Sequence, residues 1–218
     1  MFTGRPLAIP RLHSLAPAIL NMWWPGTECG NAAANLLFGD VVPSGKITMS
    51  FPYSSGQCPV YYNHYRTGRP SPYGRYDILH ATRYVDTPNE PLYPFGYGLS
   101  YTSFAYSDVT LSGTKLSRGE VITASVTVTN TGNYTGKEVV QMYIRDLAGS
   151  HVRPVKELKA FEKIQLAPGE SKHVQFVVTE DTLAFYGADM QRKAEAVKFY
   201  LYIGTHSDVE KHVEFELL

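Results

Sequence analysis

Cysteine is nearly absent. Of 218 residues only Cys29 and Cys58 carry a thiol, too few for a disulfide framework, so unpaired thiols or at most one bridge are expected. A two-cysteine zinc site would need histidines at matching spacing, which His13 and His64 do not provide; no metal and no cofactor is expected. An excess of one charge is also missing. Lysine plus arginine equals aspartate plus glutamate at 20 each, so nothing electrostatic points to nucleic acid or an anionic membrane as partner. No run reaches the ~18 apolar residues of a membrane span. Residues 1–20 lack the plan of a signal peptide, because Pro6, Pro10 and Pro17 interrupt any apolar core. Read literally, the chain does not export itself.

The common catalytic motifs are missing too. There is no Gly-x-Ser-x-Gly elbow, and neither cysteine sits beside a histidine. Gly96-Tyr97-Gly98 lacks the strand-to-helix setting of a phosphate-binding loop. His151, His173, His206 and His212 are scattered, as single surface histidines are. Asn133-Tyr134-Thr135 satisfies a glycosylation sequon, a match common by chance.

What the chain does hold is 16 tyrosines, 14 prolines and 18 glycines, a composition that leans towards strands and turns. Residues 1–50 read as α/β. The apolar run Ala18-Ile19-Leu20-Asn21-Met22-Trp23-Trp24 suits a buried strand. Pro25-Gly26-Thr27 then turns the chain, with Thr27 as N-cap. Cys29, Ala33, Leu36 and Leu37 fall on one face of a helix over residues 28–38, and Gly39 supplies its left-handed stop. One strand–turn–helix unit cannot bury both faces of a sheet, so it reads as the end of a larger α/β domain. The unit is expected either to be poorly ordered or to pack its apolar face, Leu36 and Leu37 included, on the following segment or on a second copy, giving self-association through the exposed remnant.

Residues 51–98 are rich in turn formers and aromatics, without a lasting period. They read as an ordered connector, since so many tyrosines need something to pack on. From residue 99 to 218 the period becomes two. Ile122, Ala124, Val126 and Val128 alternate with Thr123, Ser125 and Thr127; Val140, Met142 and Ile144 alternate with Gln141, Tyr143 and Arg145. Val174, Phe176 and Val178 repeat the pattern, as do Val197, Phe199, Leu201 and Ile203. With residues 104–111, 155–166 and 209–217 this makes about seven strands, the number expected of an immunoglobulin-like or fibronectin-like sandwich. The immunoglobulin Cys–Trp–Cys set is absent, which favours the fibronectin-III type. The fold expected is mainly β.

A glycosidase-like hydrolase needs two carboxylates facing one cleft, ~5–10 Å apart. Glu28 and Asp40 lie at opposite ends of a helix spanning ~16 Å and cannot serve one bond. Two features could touch sugar. Trp23-Trp24 ends the proposed strand, where open α/β sheets place ligands. The connector's tyrosines with Arg66, Arg69, Arg75 and Arg83 could line a cleft edge. The alternative is that these residues glue the sandwich to its neighbour.

Gly4-Arg5-Pro6-Leu7, Trp24-Pro25-Gly26-Thr27-Glu28, Leu37-Phe38-Gly39-Asp40 and Pro43-Ser44-Gly45-Lys46 form an ordered series with Tyr61-Tyr62-Asn63-His64 and Thr67-Gly68-Arg69-Pro70. It continues through Pro91-Leu92-Tyr93-Pro94-Phe95-Gly96-Tyr97-Gly98-Leu99-Ser100-Tyr101, Asn130-Thr131-Gly132, Val139-Val140-Gln141-Met142-Tyr143 and Arg153-Pro154-Val155-Lys156-Glu157-Leu158. Across essentially its whole length the chain resembles the C-terminal part of family 3 glycoside hydrolases, most closely periplasmic β-glucosidases of Gram-negative bacteria. The resemblance implies an enzyme with a (β/α) barrel, an α/β sandwich domain and a fibronectin-III-like domain. Such enzymes remove terminal β-linked sugars with retention, through an aspartate nucleophile and a glutamate acid/base that both precede the segment seen here. The expected parent substrate is a β-linked oligosaccharide or aryl glycoside, and the expected location is periplasmic or secreted. No catalytic, substrate-binding or metal-binding residue is carried over. Cys29 departs from the pattern, standing where the family has a small residue. A free-standing carbohydrate- or protein-binding sandwich is the competing reading.

Overall fold

A computed structural model describes residues 1, 3–70 and 80–218. Eleven strands, three short α-helices and one 3-10 turn (Ser55–Gln57) are assigned among them. The strands are β1 (Phe104–Tyr106), β2 (Thr110–Leu111), β3 (Lys115–Leu116), β4 (Val121–Asn130), β5 (Gly136–Asp146), β6 (Glu157–Leu166), β7 (Ser171–Thr179), β8 (Phe185–Tyr186), β9 (Arg192–Lys193), β10 (Lys198–Gly204) and β11 (Val213–Leu217). The helices are α1 (Pro10–Leu15), α2 (Cys29–Leu37) and α3 (Glu180–Leu183).

The mainly β expectation holds. In one sheet β4 is central, with β7 along one edge and β1, then β2, along the other. The second sheet runs β3-β11-β10-β5-β6. The alternating residues of β4, β5, β7 and β10 meet between the sheets, where Ile122, Val126, Val140, Met142, Val174, Leu201 and Phe215 are fully or almost fully buried. Period-two apolar strands have one such solution, because each sheet can hide its apolar face only against another. Three pieces escaped the sequence pattern: β3, which pairs in parallel with β11, and the β8–β9 hairpin. Each is two residues long, too short to show a period.

The first fifty residues depart from expectation in three places. The run at 18–24 forms no assigned strand; among the described residues its backbone pairs with Met1, whose ammonium donates to Leu20 O at 2.6 Å and whose carbonyl accepts from Met22 N at 2.9 Å. A parallel strand requires neighbours on its edges to complete its ladder. Trp23 then turns with a positive φ of 49°. A helix, α1, forms in a segment that the sequence pattern leaves unassigned; Pro10 occupies its first turn, where no amide is needed. Helix α2 is present, but Glu28 rather than Thr27 holds the N-cap, with no side-chain cap bond. Gly39 takes the expected left-handed conformation. No residue of α2 is buried, and Leu37, Phe38 and Trp24 are largely exposed. Both cysteines are free thiols.

Candidate functional site

No pair of carboxylates suited to glycosidic cleavage is brought together among the described residues. Glu28 and Asp40 are exposed at the two ends of α2, and the Glu28 carboxylate is occupied by Asn31 Nδ2 at 2.6 Å. The buried acids are each committed. Glu138 meets Lys46 Nζ at 3.1 Å and accepts from the Tyr106 hydroxyl at 3.1 Å; burial and the Glu138 charge push that phenol far above its ordinary value. Asp146 faces Arg153 Nε at 3.7 Å, and its carboxyl is raised by burial, which outweighs the arginine. Ser150 bonds both His151 and Glu195. That arrangement is no catalytic triad, since the carboxylate takes the serine's proton rather than orienting the imidazole, and the group is exposed. No cluster of three or more His, Cys, Asp or Glu residues able to hold a metal occurs among the described residues.

The residues of the long signature at 91–101 instead build a seam between connector and sandwich. Residues 47–51 run antiparallel to residues 92–97, through Ile47 N to Tyr97 O at 2.8 Å, Gly96 N to Ile47 O at 2.8 Å and Phe51 N to Tyr93 O at 2.9 Å. This ribbon lies on the outer face of the larger sheet. Gln141 and Tyr143, which alternation placed towards solvent, are buried beneath it at 3% and 0% exposure. Gln141 Nε2 donates to Gly96 O at 3.1 Å and Thr205 O at 2.6 Å, while the Tyr143 hydroxyl donates to Gln141 Oε1. Tyr62 stacks on Phe95 at 4.5 Å and meets Tyr143 edge-on at 5.9 Å. Its hydroxyl also accepts from the Leu158 amide. Lys46 adds a bond to Gly98 O at 2.8 Å. Gly98 is glycine because a Cβ there would stand 2.5 Å from Gly45 O.

An aromatic chain continues from the seam into the first fifty residues. Trp23, Phe51, Tyr93 and Tyr97 follow one another at centroid spacings of 5.8, 6.0 and 5.4 Å, and Tyr97 reaches His206 at 5.8 Å. His13 Nδ1 pairs with the Tyr93 hydroxyl at 2.7 Å. The Tyr101 hydroxyl caps the C-terminal end of α2 through Leu36 O at 2.7 Å. Helix α2 is thus tied to the beginning of the sandwich. Beside the seam, Lys156 Nζ donates to Ser207 O at 2.8 Å and Val209 O at 2.6 Å over the face of Tyr202. Burial lowers this ammonium to about 8. His206 accepts from the Asp208 amide at Nδ1, which requires a neutral ring there, and burial correspondingly lowers its imidazole.

Of the groups that could touch sugar, Trp23, Tyr62, Tyr93 and Tyr97 are therefore spent on packing, whereas Tyr61, Tyr65 and Tyr84 are exposed and Tyr73 and Tyr76 lie outside the described residues. Trp24 is exposed, with its indole against Gly4. Arg66 lines a cleft beside Arg145 and Arg153; Arg83 and Arg69 do not line it, and Arg75 lies outside the described residues. Sequence reasoning missed Gln141 and Lys46 as the pins of the seam. Nothing in a period-two pattern tells which outer strand positions a second layer will cover.

Residues 1–101 match the model of the glycosyl hydrolase family 3 C-terminal domain, and residues 138–207 match the fibronectin type III-like domain. The chain belongs to family 3 of the glycoside hydrolases, in their C-terminal region. Among family 3 relatives, a periplasmic β-glucosidase of Salmonella typhimurium is 51% identical over the whole chain, which spans 28% of that protein's length. A β-xylosidase of Formosa agariphila is 42% identical over 96% of the chain, again 28% of the relative. The crystal structure of a β-glucosidase from Listeria innocua with isofagomine superposes with a TM-score of 0.94 at 44% identity, covering 99% of this chain and 30% of that one. The residues of the 91–101 run hold connector and sandwich together through the contacts described above.

Proposed function

We infer that these residues are the structural C-terminal region of a retaining β-glycosidase that removes terminal β-linked glucose or xylose. The catalytic carboxylates come from elsewhere in the protein, and its substrate is a β-linked oligosaccharide or aryl glycoside. The observation that carries this reading is the 51% identity over the full 218 residues to a periplasmic β-glucosidase, joined to the lack, among the described residues, of a carboxylate pair suited to glycosidic cleavage. The same relative supports a periplasmic or secreted setting. Function falls to three parts: an α/β portion at 1–50, a connector at 51–98 and a sandwich at 99–218. The connector acts with the sandwich as one brace, because its contacts with the larger sheet are buried. A free-standing binding module is disfavoured, since the connector covers much of the larger sheet's outer face.

Transplanting residues 1–218 in place of the matching region of the Salmonella β-glucosidase tests the reading. The chimera should hydrolyse an aryl β-glucoside within about tenfold of the parent; a folded but inactive chimera would overturn it. Leu37, Phe38 and Trp24 are largely exposed, and isolated copies should self-associate through these apolar side chains. Sedimentation velocity should then show a dimer fraction growing with concentration, and a monomer throughout would refute their role.

A further inference from the structure

The cleft that Arg66 enters has a chemistry that the seam does not use. It encloses about 310 Å³, the low end of small-molecule sites and more room than an inorganic oxyanion needs. Its walls come from three places in the chain: the connector at Arg66, Thr67 and Gly68, the end of β5 at Arg145 and Asp146, and the loop that follows, through Arg153 to Val155. The walls are fastened to each other. Tyr65 bridges Pro154, and the Val155 amide donates to His64 O at 2.9 Å, so the position of Arg66 relative to the loop is fixed by backbone bonds.

Three guanidiniums face this space against one carboxylate, in a protein whose positive and negative side chains balance. The carboxylate, Asp146, is already opposite Arg153 at 3.7 Å, and Arg153 is further anchored by Glu157 at 2.8 Å and by the Phe185 ring at 4.1 Å. Arg145 hydrogen-bonds the Tyr202 hydroxyl and has no carboxylate partner among the described residues. Arg66 is exposed and has no ion pair among them. Two forked cations at a preformed cleft, without a carboxylate partner among the described residues, match the planar, two-oxygen geometry of a carboxylate. Thr67 and the loop's backbone groups add neutral hydrogen-bonding capacity for hydroxyls beside it.

We propose that this cleft binds the carboxylate of an acidic sugar, a uronic acid or an oligosaccharide bearing one, between Arg66 and Arg145. The assignment rests on the charge and shape of the cleft and not on the catalytic reading, and its test involves no turnover. The 218-residue protein is titrated with D-glucuronate, with D-glucose as the neutral control and inorganic phosphate as the bare oxyanion, and followed by calorimetry and by amide shifts. Glucuronate should bind at about millimolar affinity, glucose at least tenfold more weakly, with shifts at residues 66–68 and 145–155. Arg66→Gln, a change at an exposed side chain, should weaken glucuronate roughly tenfold without lowering the melting temperature, and Arg66→Lys should restore only part of it. Equal binding of glucose and glucuronate, binding of phosphate alone, or an unchanged affinity in Arg66→Gln would each overturn the proposal.

Discussion

Replacing Gly96 by alanine should destabilise the region by about 3–5 kcal/mol, a fall in melting temperature of roughly 10 °C for a chain of this size. Two costs combine. Gly96 has φ 81°, where a side chain costs ~1–2 kcal/mol. The new Cβ would also fall inside contact distance of the Gln141 amide. That amide cannot swing aside, because it is held by Gly96 O, Thr205 O and the Tyr143 hydroxyl. Moving it would leave buried carbonyls unpaired, at ~1–3 kcal/mol each. Gly169 supplies the control. It has φ 76° with open space where its Cβ would lie, so Gly169→Ala should cost only the conformational part, about 1 kcal/mol. Equal losses in the two variants, measured by urea unfolding, would show that the seam does not press on Gly96.

The second large effect concerns the buried ion pair beneath the seam. Glu138→Ala strands Lys46, whose side chain is 12% exposed, and removes the acceptor of the Tyr106 hydroxyl. Breaking one half of a buried pair costs about 3–5 kcal/mol, whereas replacing both halves by apolar residues is often close to neutral. The bond from Lys46 to Gly98 O retains some compensation, so the lower end, ~3 kcal/mol, is expected for Glu138→Ala. The double variant Lys46→Met with Glu138→Leu should recover at least half of that loss. A Glu138→Ala protein within 0.5 kcal/mol of the unaltered chain, the range of ordinary surface changes, would remove the pair from the account.

The sandwich was legible because its physics is local and repetitive. Ile122, Ala124, Val126 and Val128 alternate on β4, and the same beat in β5, β7 and β10 leaves little choice but two facing sheets. The connector was legible only as ordered and aromatic. Its conformation follows from contacts such as Tyr62 on Phe95 and Tyr143, which join residues far apart in sequence and leave no period. Gln141 and Tyr143 were read as outward-facing, and geometrically they are; what sequence could not supply was the layer that buries them. The apolar run at 18–24 failed as a strand for the complementary reason: its composition suits a buried strand, but the ladder depends on neighbours. The arginine cleft was half visible. Arg66 is one of four arginines picked out in an aromatic connector, whereas Arg145 reads as one more polar strand residue and Arg153 as part of a family motif.

On the proposed function, these 218 residues brace an active site without supplying its carboxylates. The most direct test is hydrolysis of an aryl β-glucoside by the chain alone, purified from a host lacking β-glucosidase and assayed at high protein concentration. Release should be indistinguishable from buffer. Turnover that tracks the purified chain, and that disappears when one of its own acidic residues is replaced by the amide, would contradict it.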